Sequence, residues 1–174
     1  MRKLFIYIAA SLDGYIAAPG DDLTFLSAME KEGEDYGYSD FIAEVDTVIL
    51  GRRTYDWVLE HLGYSSHQDK ETYIITRTPR PKEGNTTFYT GDLNELVNAL
   101  KQKEGKNIFC DGGAQIVHQL LKEDLVDELI VSVIPILLGG GIRLFNDGRP
   151  QILLELVNVT SFATGLVQLH YKRV

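Results

Sequence analysis

A strand, a glycine pair and a helix follow one another in Asn107-Ile108-Phe109-Cys110-Asp111-Gly112-Gly113-Ala114-Gln115-Ile116. The strand predicted at its start, Asn107–Cys110, is short and mostly apolar, as is typical of strands buried in a parallel sheet. The helix predicted over Ala114–Lys122 has one apolar face, made by Ile116, Val117, Leu120 and Leu121. Gly112 and Gly113 can adopt positive φ and let a diphosphate approach the backbone closely. The alternative interpretation of this pair is a plain tight turn.

Strands and helices alternate on both sides of this segment. Further strands are predicted at Leu4–Ala9, Thr47–Leu50, Tyr73–Thr76, Thr86–Tyr89 and Glu128–Ile134. Further helices are predicted at Thr54–Leu62 and Asp92–Lys103, and Asp92 is a natural N-cap. Residues 153–174 hold two strand-like runs around a turn, as in an antiparallel hairpin. We therefore expect an α/β fold, a three-layer α/β/α sandwich with a mostly parallel sheet and an antiparallel C-terminal hairpin.

Three segments have weaker patterns. Tyr15–Ala17 is expected to continue the first strand briefly, and Leu23–Lys31 to form one or two helical turns. Phe41, Ile42 and Val45 have helical spacing.

Length and composition restrict the class of protein. A chain of 174 residues, 44% hydrophobic and 24% charged, predicts one globular domain spanning residues 1–174. The net charge of −8 argues against nucleic acid as a partner, and no apolar run is long enough to span a membrane. A single cysteine excludes an intrachain disulfide and favours a cytoplasmic location. The four histidines lack paired spacing, so we expect no metal site.

A second strand-to-helix junction places cations where a helix begins. Leu50-Gly51-Arg52-Arg53-Thr54 ends an apolar strand in glycine and opens onto a helix. Cations are unfavourable at a helix N-terminus, which is already partly positive, unless an anion binds there. Thr76 and Arg77 add a hydroxyl and a guanidinium after the next strand. The pattern predicts a phosphate site at the carboxyl edge of the sheet; the alternative is that the arginines are solvated surface charges.

At these motifs the chain resembles a known family. Gly51-Arg52-Arg53-Thr54 looks like the Gly-Arg-x-Thr signature of dihydrofolate reductases, and Gly112-Gly113-Ala114-Gln115-Ile116-Val117 like their second nucleotide motif. Residues 9–17 and 134–145 resemble the opening and the late glycine loop of the reductase domain of riboflavin-biosynthesis deaminase-reductases. The resemblance covers nearly the whole chain and implies a dihydrofolate reductase-like fold with NADPH as cofactor.

The resemblance also implies roles for individual residues. Arg52, Arg53 and Thr54 at Gly51 would hold phosphates of the cofactor, and Thr76 with Arg77 would favour its 2′-phosphate. The pyrophosphate would face Gly112, Gly113, Ala114, Gln115 and Ile116. Ala9 and Ile16 would lie near the nicotinamide.

The substrate side departs from both relatives. No Pro-Trp pair precedes a substrate helix, and Tyr7 stands where the pyrimidine reductases carry lysine. Asp35 is nearest to the position of the folate enzymes' carboxylate and is the candidate proton donor, with water as the alternative. We expect an NADPH-dependent reductase acting on a pteridine or a 5-amino-6-(5-phosphoribosylamino)uracil-like heterocycle.

Two other functions remain open at this point. One is a catalytically silent NADP(H)-binding protein with a sensor or resistance role, and the other is a protein that binds a different phosphorylated ligand. A homodimer is expected because the C-terminal strands are rich in apolar residues.

Overall fold

An eight-stranded sheet runs through the centre of the protein, whose 174 residues are all described by a computed structural model. The strands are β1 Leu4–Ser11, β2 Tyr15–Ala17, β3 Val45–Gly51, β4 Glu71–Ile75, β5 Thr86–Tyr89, β6 Asn107–Cys110, β7 Glu128–Ile134, β8 Ile142–Arg143, β9 Leu154–Ser161 and β10 Val167–Arg173. The helices are α1 Tyr38–Ala43, α2 Arg52–Leu62, α3 Leu93–Gln102 and α4 Ala114–Lys122, and Thr24–Met29 forms a 3₁₀ helix.

The order of strands across the main sheet is β5-β4-β3-β6-β1-β7-β10-β9. Neighbours from β5 to β7 pair in parallel, whereas β10 is antiparallel to both β7 and β9. This arrangement confirms the mostly parallel sheet with an antiparallel C-terminal hairpin. It also places the carboxyl ends of β4, β3, β6 and β1 side by side at one edge.

Helices cover both faces of the sheet, as expected for three layers. On one face α3 and α4 pack against β1 through the largest core cluster, which includes Leu4, Ile6, Val97 and Leu120. On the other face, Tyr55 of α2 packs on Leu50, and Phe41 of α1 packs on Phe109. The apolar periodicity of the helices therefore faces the sheet, where its burial stabilises the fold.

Some element boundaries differ from the sequence expectations. Helix α2 begins at Arg52, two residues before the expected Thr54, and Val45 opens β3 instead of extending the helical spacing of Phe41 and Ile42. The Leu23–Lys31 segment forms a 3₁₀ helix. β8 was not expected, because two residues are too few to show the alternation of apolar and polar side chains that indicates a strand. It pairs with β2 in a separate two-stranded sheet.

The outer strand β9 leaves its apolar side chains uncovered. Leu156, Val157 and Val159 are about half exposed, and Leu153 just before the strand is 70% exposed. The homodimer expected from the sequence stays a prediction, and this strand is where it would form. No helix of the chain is both long enough and apolar enough to cross a membrane.

Candidate active site

The two strand-to-helix junctions found in the sequence are neighbours in the structure. β3 pairs with β6 in parallel, with Ile49 opposite Cys110. Beyond the strands, the Gly51 N–H donates to the Gly112 carbonyl at 2.8 Å, and the Asp111 N–H donates to the Ile49 carbonyl at 3.0 Å. The N-termini of α2 and α4 therefore open side by side at the carboxyl edge.

The glycines at this edge stand where a side chain would collide with the opposite junction. A Cβ at Gly51 would lie 3.2 Å from Ile116 Cγ1 and 3.5 Å from the Gly113 nitrogen. A Cβ at Gly113 would lie 2.9 Å from Thr54 Oγ1, and Gly112 has φ of +107°. The peptide bond between Gly112 and Gly113 is cis. The glycines thus allow the two junctions to pack closely into a narrow cradle, formed by Gly51 and Gly112–Gly113.

Both helices that begin at this cradle lack caps from their own side chains. Neither the Gly51 nor the Gly113 N-cap makes a side-chain hydrogen bond, and no acidic residue lies in the first turn of α2 or α4. Backbone N–H groups of a first helical turn have no partner within the helix. Ala114 is buried, Gln115 exposed and Ile116 half-buried, so the first turn of α4 presents backbone together with one polar side chain. An anion suits this arrangement.

The predicted phosphate ligands lie on the surface beside the cradle. Arg52 donates to Asp56 at 2.9 Å and Arg53 to Asp21 at 2.5 Å, with guanidinium-bearing side chains that are 50% and 75% exposed. Exposed ion pairs of this kind contribute about 0–1 kcal/mol, so an incoming phosphate can replace them. Arg77 is exposed as well.

Thr76, a predicted cofactor residue, makes a hydrogen bond within its own turn. The residue is buried, and its Oγ1 accepts the Thr78 N–H at 3.1 Å in the turn that follows β4. The hydroxyl therefore shapes the turn that carries Arg77. Its direct contact with a cofactor stays a prediction.

Ala9 and Ile16, predicted near the nicotinamide, both border this edge. Ala9 lies in β1 opposite Ser132 and packs with the cluster around Phe25 of the 3₁₀ helix. Ile16, in β2, packs against the main core. They thus lie on consecutive strands, and their position near a nicotinamide stays a prediction.

Asp13 anchors the glycine-rich loop to the turn between β1 and β2. Its carboxylate accepts the Ser11 hydroxyl at 2.5 Å, the Gly139 N–H at 2.7 Å and the Leu138 N–H at 3.1 Å. Farther along the loop, a Cβ on Gly141 would lie 2.0 Å from the Ala17 carbonyl oxygen, so this position requires glycine. The loop is therefore held against β2 by one carboxylate and one close backbone approach.

We expect Asp13→Asn to loosen residues 137–141. The hydrogen bond from Ser11, followed by those from Gly139 and Leu138, lowers the pKa of Asp13 below its ordinary 3.8. Because the folded-state pKa is lowered, the anchor is fully present above the ordinary value and is lost as the pH falls through the folded-state pKa. Amide exchange at Leu138 and Gly139 should therefore accelerate in the variant at neutral pH. In the wild type, the protection factors of these amides, which correct for the slower intrinsic exchange at low pH, should fall on acidification.

The control for this experiment is Asp147→Asn, an exposed carboxylate a few residues farther along. Its exchange pattern should match the wild type. Unchanged protection of Leu138 and Gly139 in Asp13→Asn would show that other contacts hold the loop.

A group of aromatic side chains lies on the sheet face beneath α1. The rings of Tyr7 and Phe41 are 4.7 Å apart, and those of Tyr7 and Tyr38 are 5.6 Å apart. Gln168 Nε2 donates to the Tyr7 hydroxyl at 2.9 Å and to Ser132 Oγ at 3.1 Å, and the Tyr7 hydroxyl donates to the Tyr36 carbonyl at 2.9 Å. Burial raises the pKa values of Tyr7 and Tyr38. Both phenols are therefore neutral hydrogen-bonding groups at physiological pH.

A histidine–carboxylate pair borders the aromatic group. His67 Nε2 lies 3.0 Å from Asp111 Oδ2, and its ring meets Phe109 edge-on at 5.9 Å. The His67 side chain is 11% exposed and that of Asp111 is 31% exposed, so the carboxylate remains reachable from solvent. Asp111 immediately precedes the Gly112–Gly113 cradle. The sequence analysis missed this pair because His67 lies in a segment without secondary-structure pattern.

Asp35, the predicted proton donor, lies at the start of α1. Its carboxylate accepts the Gly37 N–H at 2.9 Å and the Ser39 N–H at 3.0 Å. The Ser39 hydroxyl, then the backbone amides, hold its pKa below the ordinary value, and the residue is exposed. The catalytic role stays a prediction, but a carboxyl with a lowered pKa holds a proton less readily at neutral pH.

Comparison of the sequence with known proteins identifies a family and close relatives. The model of a family described as "RibD C-terminal domain" matches residues 2–168. The chain is 43% identical over 173 residues to the uncharacterized protein YwjB of Bacillus subtilis, covering 99% of this chain and 98% of that protein. It is 30% identical over 181 residues to the uncharacterized protein YyaP of the same organism, covering 98% and 94%.

Solved structures have the same fold. A Shewanella sp. PV-4 protein named for riboflavin biosynthesis is 30% identical, with TM-score 0.86 over 99% of both chains. The deaminase/5-amino-6-(5-phosphoribosylamino)uracil reductase of Thermotoga maritima is 14% identical with TM-score 0.72, and this chain spans 57% of its length. Dihydrofolate reductase from Enterococcus faecalis, complexed with NADP(H), is 18% identical with TM-score 0.66 over 98% and 96% of the two chains.

Proposed function

The chain belongs to the RibD C-terminal domain family, and from this membership we propose that it is an NADPH-dependent reductase of a planar heterocycle, of the pteridine or aminouracil class. The observation that carries the proposal is the contact between the two junctions, where the Gly51 N–H donates to the Gly112 carbonyl at 2.8 Å. That contact brings two uncapped helix N-termini and the pair Arg52 and Arg53 to one edge of the sheet, where an anion would bind. The distant dihydrofolate reductase with the same fold is complexed with NADP(H).

The residues at the edge fit a dinucleotide phosphate group. Gly51 and Gly113 let the two junctions approach each other closely, so the unpartnered backbone amides of α2 and α4 would meet one bulky anion. Arg52 and Arg53 would hold phosphate oxygens once their exposed ion pairs exchange. Bound there, NADPH would supply the hydride for reduction.

The other side of the site would orient the acceptor. Tyr7, Tyr38 and Phe41 present ring faces and edges against which a flat heterocycle can stack. Fixing the acceptor ring in one orientation removes the entropic cost of aligning it for reduction. The product also needs a proton; because Asp35 is held in its ionised form, we assign that proton to solvent water.

The first experiment measures cofactor binding. Trp57, the single tryptophan, lies in α2 five residues after Arg52, so its fluorescence reports ligand binding at this helix. We expect NADPH to bind at least tenfold more tightly than NADH. We expect the double variant Arg52→Ala, Arg53→Ala to lose at least tenfold in NADPH affinity, since each charge-assisted hydrogen bond contributes about 1.5–3 kcal/mol. NADH affinity should fall less.

Arg149→Ala is the matched control, because Arg149 is exposed and its hydrogen bond goes to the adjacent Pro150 carbonyl. It should bind NADPH as the wild type does. If the double variant stays within twofold of wild-type affinity, the phosphate role of Arg52 and Arg53 is wrong.

The second experiment separates a reductase from a silent binding protein. Oxidation of NADPH is followed with a panel of pteridines and aminouracils. Turnover of one of them supports the reductase, whereas tight NADPH binding with no oxidation would favour a sensor or resistance protein. Absence of any NADPH response would favour a protein for another phosphorylated ligand.

A further inference from the structure

We propose that the substrate face takes an unphosphorylated planar heterocycle with N–H donors, and that Asp111, held by His67, both accepts from that ring and repels a phosphate ester. This inference rests on the proposed reductase function and specifies its substrate class. It starts from the distribution of charge along the carboxyl edge of the sheet.

Four arginines follow two neighbouring strands at one end of the edge. Arg52 and Arg53 follow β3, while Arg77 and Arg80 follow β4. These strands lie on the far side of β6 from β1, β7 and β10. The half of the edge that suits phosphate groups is therefore the half assigned to the cofactor.

The half around β1 carries carboxylates instead. Residues 30–44, which lead into α1 and form it, contain six acidic residues, Glu30, Glu32, Glu34, Asp35, Asp40 and Glu44, and one basic residue, Lys31. Asp111 and Asp69 raise the pKa of the Tyr38 phenol, after the larger effect of burial, and Asp35 does the same for Tyr7. The carboxylates of Asp35, Asp69 and Asp111 thus lie close enough to the aromatic group to act on its phenols.

Few cations lie on this half. Lys31 makes no ion pair, and the guanidinium of Arg143 in β8 lies over the Tyr15 ring, 5.2 Å from its centroid. The Lys70 side chain is 11% exposed and pairs with Asp69 at 3.1 Å. His67 makes its hydrogen bond to Asp111. Tyr7 lies on one face of β1, between Phe5 and Ala9. Its phenol is neutral, whereas a lysine at this position would be positively charged. A phosphate group brought here would meet the six carboxylates of residues 30–44 against the single ammonium of Lys31.

The same groups suit a neutral or protonated heterocycle. Asp111 is an acceptor-only group when ionised, 31% of its side chain is exposed, and its charge acts on the Tyr38 phenol. His67 fixes one carboxylate oxygen, Oδ2, leaving Oδ1 for a ring N–H or an exocyclic amine. The adjoining polar surface is hydrogen-bonded internally: the Gln168 side-chain amide donates to both Ser132 and Tyr7.

A matched pair of ligands tests the inference. Calorimetric titrations use 6-hydroxymethylpterin and its phosphate monoester against protein saturated with NADP⁺, in which no hydride transfer consumes the probe. We expect the unphosphorylated pterin to bind at least tenfold more tightly. Raising the ionic strength should narrow the difference, because salt screens repulsion between exposed charges.

Variants then identify the residue that causes the preference for the unphosphorylated pterin. Asp111→Asn should weaken binding of the unphosphorylated pterin at least fivefold and reduce its preference over the ester by a similar factor. His67→Gln can still donate to Asp111 and should retain most of the preference. Asp124→Asn removes an exposed carboxylate paired with Arg173, away from the aromatic group, and should change neither value.

Three results would overturn the inference. They are equal or tighter binding of the phosphate ester, absence of binding by both pterins, and an unchanged preference in a folded Asp111→Asn variant. If that variant does not fold, the ionic-strength dependence of the wild-type preference decides. Failure of NADP⁺ itself to bind would instead reject the proposed reductase, so the two failures are distinguishable.

Discussion

Phe109→Ala is expected to lower the free energy of unfolding by about 4 kcal/mol, within the range for truncating a buried phenylalanine. The side chain is 1% exposed and packs in β6 with Val45 and Val48. Its ring meets Phe41 of α1 edge-on at 5.2 Å and also contacts His67. Removing it leaves a cavity beneath both the short helix and the histidine, and a six-residue helix cannot hold its place without that packing.

Urea unfolding followed by circular dichroism measures the loss, and amide exchange in α1 should increase together with it. Phe109→Leu, which keeps most of the apolar volume, should cost about 1–1.5 kcal/mol. A loss below about 1 kcal/mol in Phe109→Ala would mean that the cavity collapses and that α1 is held by other contacts.

Arg2→Met should cost about 3 kcal/mol, although the residue is next to the chain start. Its guanidinium is buried, pairs with Asp46, and donates to Thr47 Oγ1 at 2.6 Å and to the Lys106 carbonyl at 2.6 Å. It also donates to the Leu100 carbonyl at 3.2 Å. Methionine fills part of the volume but leaves these buried acceptors without a donor, at about 1–3 kcal/mol for each group that water cannot reach.

For a chain of this size we expect a fall in Tm of about 6–12 °C, measured by thermal unfolding. Arg149→Met is the control and should leave Tm within about 1 °C, since Arg149 is exposed. The Asp46→Asn, Arg2→Met double variant should cost less than the sum of the single changes, because the two groups interact directly. Strict additivity would contradict the assignment of the stabilisation to this pair.

Much of the fold and the cofactor edge could be predicted from local sequence. The order of strands and helices followed from apolar periodicity, and Asp92 caps α3 as expected, accepting the Glu95 N–H at 3.0 Å. The Gly51 and Gly112–Gly113 junctions could be identified because glycine and charge at a strand end leave a signal within a few residues. Parallel pairing then brings consecutive carboxyl ends to one edge, whatever their separation in sequence.

The substrate face could not be predicted in this way. His67 and Asp111 are 44 residues apart, and Gln168 and Tyr7 are 161 residues apart. His67 and Gln168 belong to no motif, and the contacts of all four residues arise only when β6, β1 and β10 take their places in the sheet. The ribbon of β2 and β8 likewise joins segments too short to carry a pattern.

The amino-acid sequence by itself determined the elements, the glycine junctions and the arginine pair, because each depends on interactions among residues a few positions apart. Only the tertiary structure decided that Asp13 holds the glycine loop and that Asp111 pairs with His67 beside the aromatic group. Those outcomes depend on strand order and loop closure, which are fixed by the free energy of the whole sheet and leave no local trace.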